Sequence, residues 1–188
     1  KLVVSCQPAE NGPMDHPEII KSMALAAEAG GAGGLRIEGI TNLKTIRHLT
    51  KLPIIGIIKR NLNEYNIRIT PLIEDVENLS YCGADIIAYE ATNLPRPFST
   101  QSLINKIKEK KILAMADCAN LEDGKKAISE GADILGTTLS GYAYQKVQSI
   151  NSPDLILVKQ FSILKTFTMA EGRYHSPALA KNAIKAGA

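Results

Sequence analysis

The stretch Glu130-Gly131-Ala132-Asp133-Ile134-Leu135-Gly136-Thr137-Thr138 carries the pattern that decides the fold. A glycine and an alanine follow an amphipathic segment, and a short apolar run comes directly after them. Glycine commonly ends helices because it adopts the left-handed conformation without a Cβ penalty. The stretch therefore predicts a helix that ends near Gly131 and a strand that begins at once.

The same pattern occurs at three other places in the chain. These are Gly30-Gly31-Ala32, Cys82-Gly83-Ala84-Asp85 and Ala186-Gly187-Ala188. The recurrence indicates a repeated strand–helix unit. Because the fourth copy forms the last three residues, the sequence stops where a further strand is expected to begin, and we expect an eighth unit to be absent from it.

Seven apolar runs, rich in Val, Ile and Ala, predict strands. Most of them lack polar alternation, which is typical of parallel strands covered by helices. The predicted strands are Leu2–Cys6, Gly34–Ile37, Pro53–Lys59, Asp85–Ala91, Ile112–Asp117, Ile134–Thr138 and Phe167–Glu171.

Seven amphipathic segments between these runs predict helices. Asp15, Thr41, Asn120 and Ser176 precede four of them and are residues that cap helix N-termini. The predicted helices are Pro17–Ala29, Asn42–Leu49, Ile73–Tyr81, Thr100–Lys110, Leu121–Glu130, Asp154–Leu164 and Pro177–Ala186.

Strands that alternate with helices predict an α/β fold, and we favour a (β/α)8 TIM barrel whose eighth unit is absent from this sequence. Residues 1–188 are expected to form a single, C-terminally incomplete barrel domain. A seven-stranded barrel and an open doubly wound sheet are the alternatives.

Composition excludes several classes of protein. Hydrophobic residues make up 45% and charged residues 22% of the 188 residues, as in globular proteins and unlike disordered chains. A net charge of +3 is too small to indicate nucleic-acid binding. No apolar run is long enough for a membrane helix, and the first residues enter a strand pattern without a signal peptide.

Cysteine and histidine usage argues against disulfides and metals. The three cysteines lack close spacing, which predicts neither a disulfide framework nor a zinc site and favours the cytoplasm. The three histidines show no metal-ligand spacing. We therefore expect no metal and no redox cofactor.

Polar residues stand at the C-terminal ends of the predicted strands. In a barrel these ends converge on the active site. The residues are Gln7, Arg36, Lys59, Glu90, Asp117, Thr137, Thr138, Glu171, Gly172 and Arg173. We expect most of them to line one pocket.

Lys59 and Glu171 are the first candidates for chemistry. At a partly desolvated site beside another cation, Arg60, the pKa of Lys59 should fall, so that Lys59 could act as a general base or as a Schiff-base nucleophile. It could equally reach solvent with only its stem buried. Glu171 could act as an acid or base, or form an ion pair with Arg173.

Other polar residues have two interpretations each. Asp117, like Glu171, could serve in catalysis or in an ion pair. Arg36 and Gln7 could bind substrate hydroxyls or carbonyls, although Arg36 could also pair with Glu38. The Thr137–Tyr142 loop could line a sugar site or satisfy its own backbone.

Several blocks together resemble the N-acetylmannosamine-6-phosphate 2-epimerase family, in order along the whole chain. The blocks are Ser5-Cys6-Gln7, Ile54-Ile55-Gly56-Ile57-Ile58-Lys59-Arg60, Ala114-Met115-Ala116-Asp117, Gly136-Thr137-Thr138-Leu139-Ser140-Gly141-Tyr142 and Ala170-Glu171-Gly172-Arg173. The second and fourth blocks are specific in combination.

The resemblance implies a cofactor-independent (β/α)8 barrel that interconverts N-acetylmannosamine 6-phosphate and N-acetylglucosamine 6-phosphate in bacterial sialic acid catabolism. It implies that Lys59 and Glu171 are the acid–base pair at C2. Substrate-binding residues, in the same interpretation, are Gln7, Arg36, Asp117, Thr138, Gly172 and Arg173. It also implies a homodimer, with a sugar phosphate as partner and neither nucleic acid nor membrane.

Two features depart from the family pattern. Glu90 stands where the family usually has aspartate. The family's last strand, with a Gly-Gly phosphate loop and a following arginine, has no counterpart in these residues.

Two other functions remain open at the level of sequence. One is a Schiff-base aldolase that uses Lys59 on a sugar phosphate. The other is a barrel that binds sugar phosphates without catalysis.

Overall fold

The structure, a computed structural model, describes residues 1–144 and 151–188, in which seven strands alternate with seven helices. The strands are β1 Val3–Cys6, β2 Gly34–Glu38, β3 Ile54–Ile57, β4 Ile86–Glu90, β5 Leu113–Asp117, β6 Ile134–Gly136 and β7 Phe167–Met169. The helices are α1 Pro17–Ala29, α2 Ile40–Arg47, α3 Ile73–Tyr81, α4 Thr100–Glu109, α5 Leu121–Glu130, α6 Leu155–Ile163 and α7 Pro177–Ala186.

The seven strands form one parallel sheet in the order β1-β2-β3-β4-β5-β6-β7. Because crossovers between parallel strands are right-handed, a sheet in chain order keeps all its helices on one face. A doubly wound sheet would reverse its order part-way, so that alternative is wrong. The sheet curls into a half-barrel, and the prediction of a TIM-barrel-like α/β fold is confirmed.

The two faces of the sheet carry separate apolar clusters. The larger cluster lies between the sheet and the helices and includes Leu35, Ile37, Ile87, Tyr89 and Leu135. The smaller cluster fills the barrel interior. Its buried members are Ile55, Ile57, Ile69, Ala88, Met115 and Ile134.

Glycine follows the helices where the repeated pattern predicts it. Gly31, Gly83, Gly131 and Gly187 have φ of +88°, +87°, +101° and +113°. A residue with a Cβ is strained at such angles, which explains why glycine recurs at these positions.

Two of the four predicted helix caps are correct. Asn120 Oδ1 accepts the Asp123 N–H at 3.0 Å, and Ser176 Oγ accepts the Leu179 N–H at 3.4 Å. The prediction of Asp15 is wrong, because the His16 ring caps α1 while Asp15 accepts the Asn11 N–H. Thr41 is also no cap, because α2 begins earlier, after Gly39.

Three strands end two residues before the predicted ones. β3 ends at Ile57, β6 at Gly136 and β7 at Met169, so that Lys59, Thr138 and Glu171 follow their strands. Side chains interrupt the ladder at two of these places. Glu38 Oε1 accepts the Lys59 N–H at 3.3 Å, and Thr137 Oγ1 accepts the Glu171 N–H at 3.0 Å.

Within the described ranges, β1 and β7 each pair with a strand on one side only. The eighth strand therefore stays a prediction. In the same part of the chain, the structure contains no helix with the length and apolar character to span a membrane.

Candidate active site

The register of the sheet assigns the strand ends to one face. Ser5 pairs with Arg36, Arg36 with Ile55 and Ile55 with Ile86, and the same matching continues through β5, β6 and β7. The side chains of paired residues lie on the same face of the sheet, and along one strand every second side chain lies on that face. Counting from the barrel-lining residues assigns seven of the strand-end residues to the interior side. They are Gln7, Arg36, Lys59, Glu90, Asp117, Thr138 and Glu171.

Arg36 and Asp117 form a buried, bidentate ion pair at the centre of the site. Arg36 NH2 lies 2.6 Å from Asp117 Oδ2, and NH1 lies 3.3 Å from Oδ1. The exposed fractions of the two side chains are 3% and 0%. Burial opposes the charge on Arg36, but the carboxylates of Asp117 and Glu171 outweigh burial and raise the pKa of Arg36. Arg36 therefore stays a cation, and its predicted alternative partner, Glu38, does not bind it.

Glu171 lies beside this pair and is largely buried, with 24% of its side chain exposed. Its Oε2 lies 3.2 Å from Arg36 NH1. Burial raises the pKa of Glu171, Arg36 lowers it and Asp117 raises it, with a net rise. The pKa of this carboxyl group is therefore closer to neutral pH than that of an ordinary glutamate, which suits a general acid or base.

Thr138 connects the two carboxylates. Its hydroxyl lies 2.7 Å from Asp117 Oδ1 and 3.2 Å from Glu171 Oε2. A hydroxyl has one proton to donate, so it serves one carboxylate at a time. Thr137 holds the backbone of Glu171 instead, because its hydroxyl donates to the Glu171 carbonyl at 2.9 Å.

Lys59 stands on the other side of the barrel mouth, at the end of β3. Its pKa is lowered, chiefly because its ammonium is partly desolvated, while Glu38 opposes the shift and Arg36 and Arg68 add to it. The direction of the pKa shift and partial desolvation as its main cause are as predicted, but the cations that lower it are Arg36 and Arg68 and not Arg60. Arg60 points away, where its Nε donates to the fully buried Asp75 at 2.7 Å.

Two predicted substrate-binding residues make other contacts. Gln7 donates to Ser5 Oγ at 2.8 Å. Arg173 donates to the carbonyls of Ser152 and Ser140 at 2.7 and 2.9 Å, and its guanidinium lies 5.1 Å from the centre of the Tyr142 ring.

Arg173 therefore fastens the loops after β6 and β7 together and does not pair with Glu171. Gly172 and Arg173 both have positive φ, +96° and +65°. They form a tight turn directly after Glu171. Their direct contact with a substrate stays a prediction.

Glu38 and Glu90 are site residues whose contacts sequence reasoning missed. Glu38 faces Lys59 and accepts its backbone N–H. Glu90 Oε2 accepts the Arg68 N–H at 2.9 Å, and Thr92 donates to Oε1 at 3.0 Å. Both residues end their strands in the barrel-facing register, and that position was the available signal.

Glu90 holds a small hairpin at the barrel mouth. Lys59 and Ile69 form an antiparallel bridge, and so do Leu62 and Tyr65. The Arg68 side chain donates to Glu10 at 2.8 Å. The hairpin thus connects Lys59 to the loop after β1.

A cavity of about 260 Å³ opens on the β1–β3 side of Lys59. Polar and apolar groups line it together. The lining residues are Cys6, Gln7, Pro8, Glu10, Asn11, Asp15, Ile20, Glu38, Asn42 and Lys59. Among residues 1–144 and 151–188, no cluster of His, Cys, Asp and Glu side chains is arranged to hold a metal ion.

Residues 20–188 match the family described as "Putative N-acetylmannosamine-6-phosphate epimerase". The chain belongs to this epimerase family. The resemblance seen in the sequence blocks is thereby confirmed.

Members of the epimerase family match the whole chain. "Putative N-acetylmannosamine-6-phosphate 2-epimerase" of Haemophilus influenzae is 51% identical over 187 residues, which cover 100% of this chain and 81% of that protein. The protein of the same name from Pasteurella multocida is 49% identical with the same coverage.

A solved epimerase structure has the same fold. The N-acetylmannosamine-6-phosphate 2-epimerase from Clostridium perfringens superposes with a TM-score of 0.95 at 38% identity. The match covers 100% of this chain and 82% of that one.

Proposed function

We propose that the chain is a cofactor-independent isomerase that interconverts N-acetylmannosamine 6-phosphate and N-acetylglucosamine 6-phosphate at C2. Family membership and the barrel-facing register of Lys59 and Glu171 support this function. The observation that carries it is the arrangement of these two titratable groups at the ends of β3 and β7, around the buried Arg36–Asp117 pair.

Lys59 and Glu171 are proposed as the two acid–base groups. In the open-chain sugar, the C2 hydrogen is acidified by the neighbouring C1 carbonyl. One group removes that proton, the electrons of the C2–H bond form the C1–C2 double bond of a 2-acetamido enolate, and the π electrons of the C1 carbonyl move to the C1 oxygen. The other group returns a proton to C2 on the opposite face, and the double-bond electrons form the new C–H bond. Two groups on different strands suit this inversion, and each is typically worth about 10²–10⁴-fold in rate.

Arg36 is proposed to stabilise the negative charge that develops on the C1 oxygen. It is a permanently charged group in a largely buried site, where electrostatic interactions are strong. Its Nε has no hydrogen-bond partner within the residues that the structure describes. Asp117 and Thr138 hold the guanidinium and Glu171 in place, and we propose that Gln7, Gly172 and Arg173 complete the substrate contacts.

Solvent exchange at C2 tests the proposal. In deuterium oxide, the wild-type chain should incorporate deuterium at C2, as followed by NMR. Lys59→Ala and Glu171→Gln should each lower exchange and epimerisation by at least about 100-fold. Lys125→Ala is the matched control, because Lys125 is an exposed lysine whose one ion-pair partner within residues 1–144 and 151–188 is Glu122. Wild-type turnover by folded Lys59→Ala would contradict the assignment.

Two further assays separate the alternatives from the epimerase. If the chain is a Schiff-base aldolase, borohydride should reduce the imine and leave the sugar phosphate covalently attached to Lys59. A non-catalytic barrel would bind the sugar phosphate without deuterium exchange. Family membership favours the epimerase over both.

We also propose the cellular setting that the resemblance implies, which is sialic acid catabolism in the cytoplasm by a homodimer. Three buried cysteines without disulfides are compatible with a reducing compartment. Ile156, Ile163 and Ile184 on α6 and α7 are 75%, 70% and 59% exposed and could form part of an interface. Analytical ultracentrifugation would test the dimer.

We further propose a single barrel domain in which one more β/α unit fits between β7 and β1. The support is that each of these strands has one edge without a strand partner among residues 1–144 and 151–188.

A further inference from the structure

Glu38 is a charged residue at the barrel mouth to which the chemistry described so far assigns no role. It ends β2 and pairs with the barrel-lining Ile57, so its side chain lies on the barrel side of the sheet, as that of Lys59 does. Glu38 and Lys59 also line the same cavity. Asp15, which lines this cavity as well, accepts a backbone N–H of its own loop.

The backbone around Glu38 is fixed by two hydrogen bonds. The Glu38 carbonyl accepts the Asn42 side-chain amide at 2.8 Å, and the Gly39 N–H donates to the Ile57 carbonyl at 2.9 Å. Gly39 has a φ of +86°, a conformation that favours glycine, and α2 begins directly after it. From this fixed position, Oε1 of Glu38 accepts the Lys59 N–H at 3.3 Å.

Charges of both signs surround Lys59. Partial desolvation has the largest effect on the pKa of Lys59 and lowers it. Of the charged groups, Glu38 has the largest effect and raises this pKa. Arg36 and Arg68 lower it, and Glu10 raises it least.

Glu38 is the carboxylate that is available to balance these cations. Glu10 binds the Arg68 side chain at 2.8 Å, and Glu171, across the mouth, lies 3.2 Å from Arg36. Glu38 forms no ion pair within the part of the chain that the structure describes. Without a nearby carboxylate, desolvation and two cations would favour the neutral amine of the lysine. A lysine that both removes and returns a proton needs its ammonium form as well.

We propose, building on the epimerase function, that Glu38 is a positioning residue for Lys59. Its carboxylate holds the backbone of Lys59 at the barrel mouth and balances the charges of Arg36 and Arg68, so that Lys59 alternates between ammonium and amine during turnover. Glu38 acts through Lys59 and takes no proton from the substrate.

The variant Glu38→Gln separates the charge from the hydrogen bond, because the amide keeps an oxygen that accepts the Lys59 N–H. Loss of the negative charge should lower the pKa of Lys59. The alkaline limb of the profile, where kcat/KM falls as Lys59 loses its proton, should therefore move to lower pH. On that limb, kcat/KM relative to its maximum should be at least about threefold below the wild-type value at the same pH.

Two further variants complete the comparison. Glu38→Asp keeps the charge, so its alkaline limb should stay close to that of the wild type even if kcat falls. Glu122→Gln is the matched control, because it removes the same charge from an exposed residue of α5 that pairs with Lys125. An unmoved alkaline limb in Glu38→Gln, or an equal displacement in Glu38→Asp, would overturn the positioning role.

A titration of Lys59 by NMR measures the same change without turnover. The Cε–Hε signals of Lys59 are assigned by their absence in Lys59→Arg, and their midpoint should lie at lower pH in Glu38→Gln than in the wild type. If the midpoint moves but the wild type shows no C2 exchange, the epimerase function fails while the action of Glu38 on Lys59 stands. If exchange occurs but the midpoint stays in place, only the positioning role fails.

Discussion

Asp117 is the residue on which the geometry of the candidate site most depends. Its carboxylate is fully buried, accepts hydrogen bonds from both terminal nitrogens of Arg36 and accepts one from the Thr138 hydroxyl. It also raises the pKa of Glu171 through its negative charge. A change at this position should therefore be visible in the titration of Glu171.

The pH dependence of activity should shift in Asp117→Asn. The active pair carries one proton, on either Lys59 or Glu171, so kcat/KM should fall below the pKa of Glu171 and above that of Lys59. Burial raises the pKa of Glu171 and partial desolvation lowers the pKa of Lys59. The pH range of high activity is therefore narrower on both its acid and its alkaline side. Asp117→Asn removes a negative charge beside Glu171, lowers its pKa and should move the acid limb to lower pH.

A pH–rate profile of relative kcat/KM values measures this shift even if the absolute rate falls. The alkaline limb serves as the internal control, because the pKa of Lys59 is shifted chiefly by desolvation, Glu38, Arg36, Arg68 and Glu10. An acid limb that stays in place would show that Glu171 does not govern it.

Gly136 should be sensitive to a single methyl group. A Cβ at this position would lie 2.6 Å from Met115 Cε, 3.0 Å from Thr138 Oγ1 and 3.2 Å from Asp117 Oδ1. Met115 can move its terminal methyl, but the displaced hydroxyl and carboxylate would loosen their hold on Arg36. Gly136→Ala should therefore lower kcat by about tenfold or more while the chain stays folded.

The control is Gly30→Ala, at a helix end outside the site where a Cβ would meet only the carbonyls of Ala26 and Ala27. Circular dichroism would establish folding, and kinetics would compare the two variants. Equal kcat values for both would contradict the role of Gly136.

Sequence reasoning identified charged residues better than it identified their partners. The position of Arg36 at a strand end predicted a functional cation, but its local alternative, Glu38, is two residues away on the same strand and does not bind it. The true partner, Asp117, is 81 residues away. Pairing across a barrel depends on strand order and register, which neighbouring residues in the sequence do not reveal.

At the scale of elements, the segment between β3 and α3 determines how Lys59 is held. Arg60 and Arg68 in this segment bind Asp75 and Glu10, and the backbone of Arg68 binds Glu90. Asp75 also accepts the Leu72 N–H at 3.1 Å, at the start of α3. The segment is thus fastened at both ends and across its middle.

Replacing Asp75 with Ala should lower the free energy of unfolding by about 1–3 kcal/mol, because the part-buried Leu72 N–H and the Arg60 side chain lose their acceptor. Urea denaturation measures the change. Glu74→Ala is the matched control, since Glu74 precedes Asp75 in the same helical turn and is exposed. A loss no larger than that of Glu74→Ala would show that these bonds contribute little.

Element boundaries were predicted best where glycine marks them. The helices α1, α3, α5 and α7 end just before the repeated Gly-Ala pattern, and all four match the predicted bounds residue for residue. The N-terminal caps of the helices were predicted less well, because His16 and Gly39 occupy the cap positions expected for Asp15 and Thr41. Any nearby polar side chain or permissive backbone can begin a helix, whereas a positive φ strongly selects glycine.

At the scale of the whole molecule, the packed layer between sheet and helices protects all three cysteines. Cys6, Cys82 and Cys118 are 1%, 6% and 0% exposed. Burial raises the pKa of each thiol, so that little thiolate exists near neutral pH. Reaction with a thiol reagent therefore requires the chain to open.

The folded chain should react with 5,5′-dithiobis(2-nitrobenzoic acid) at least about 100-fold more slowly than glutathione does, and three thiols should react quickly in denaturant. Absorbance at the reagent's thiolate band follows the reaction. Rapid modification of one thiol in the native chain would reveal local opening of the layer that contains it.

The architecture was predictable because its cause is repetitive. Each strand–helix unit repeats an apolar run, an amphipathic segment and a terminal glycine, and units of this kind assemble in chain order. The arrangement of loops around the mouth was not predictable in this way. The hairpin that joins Lys59 to Glu90 depends on contacts between distant residues, for which no local pattern exists.

The alternation of side chains along the strands has a consequence for how this protein can change over time. The reactive groups belong to the barrel-facing set of positions, at the C-terminal ends of the strands, while the intervening positions hold the sheet against its helices. Mutations at the barrel-facing strand ends can change which substrates are accepted or which reaction occurs without weakening the fold. Mutations at the helix-facing positions can change the stability of the fold without altering the chemistry. A single-residue deletion within a strand would exchange the two sets and lose both at once.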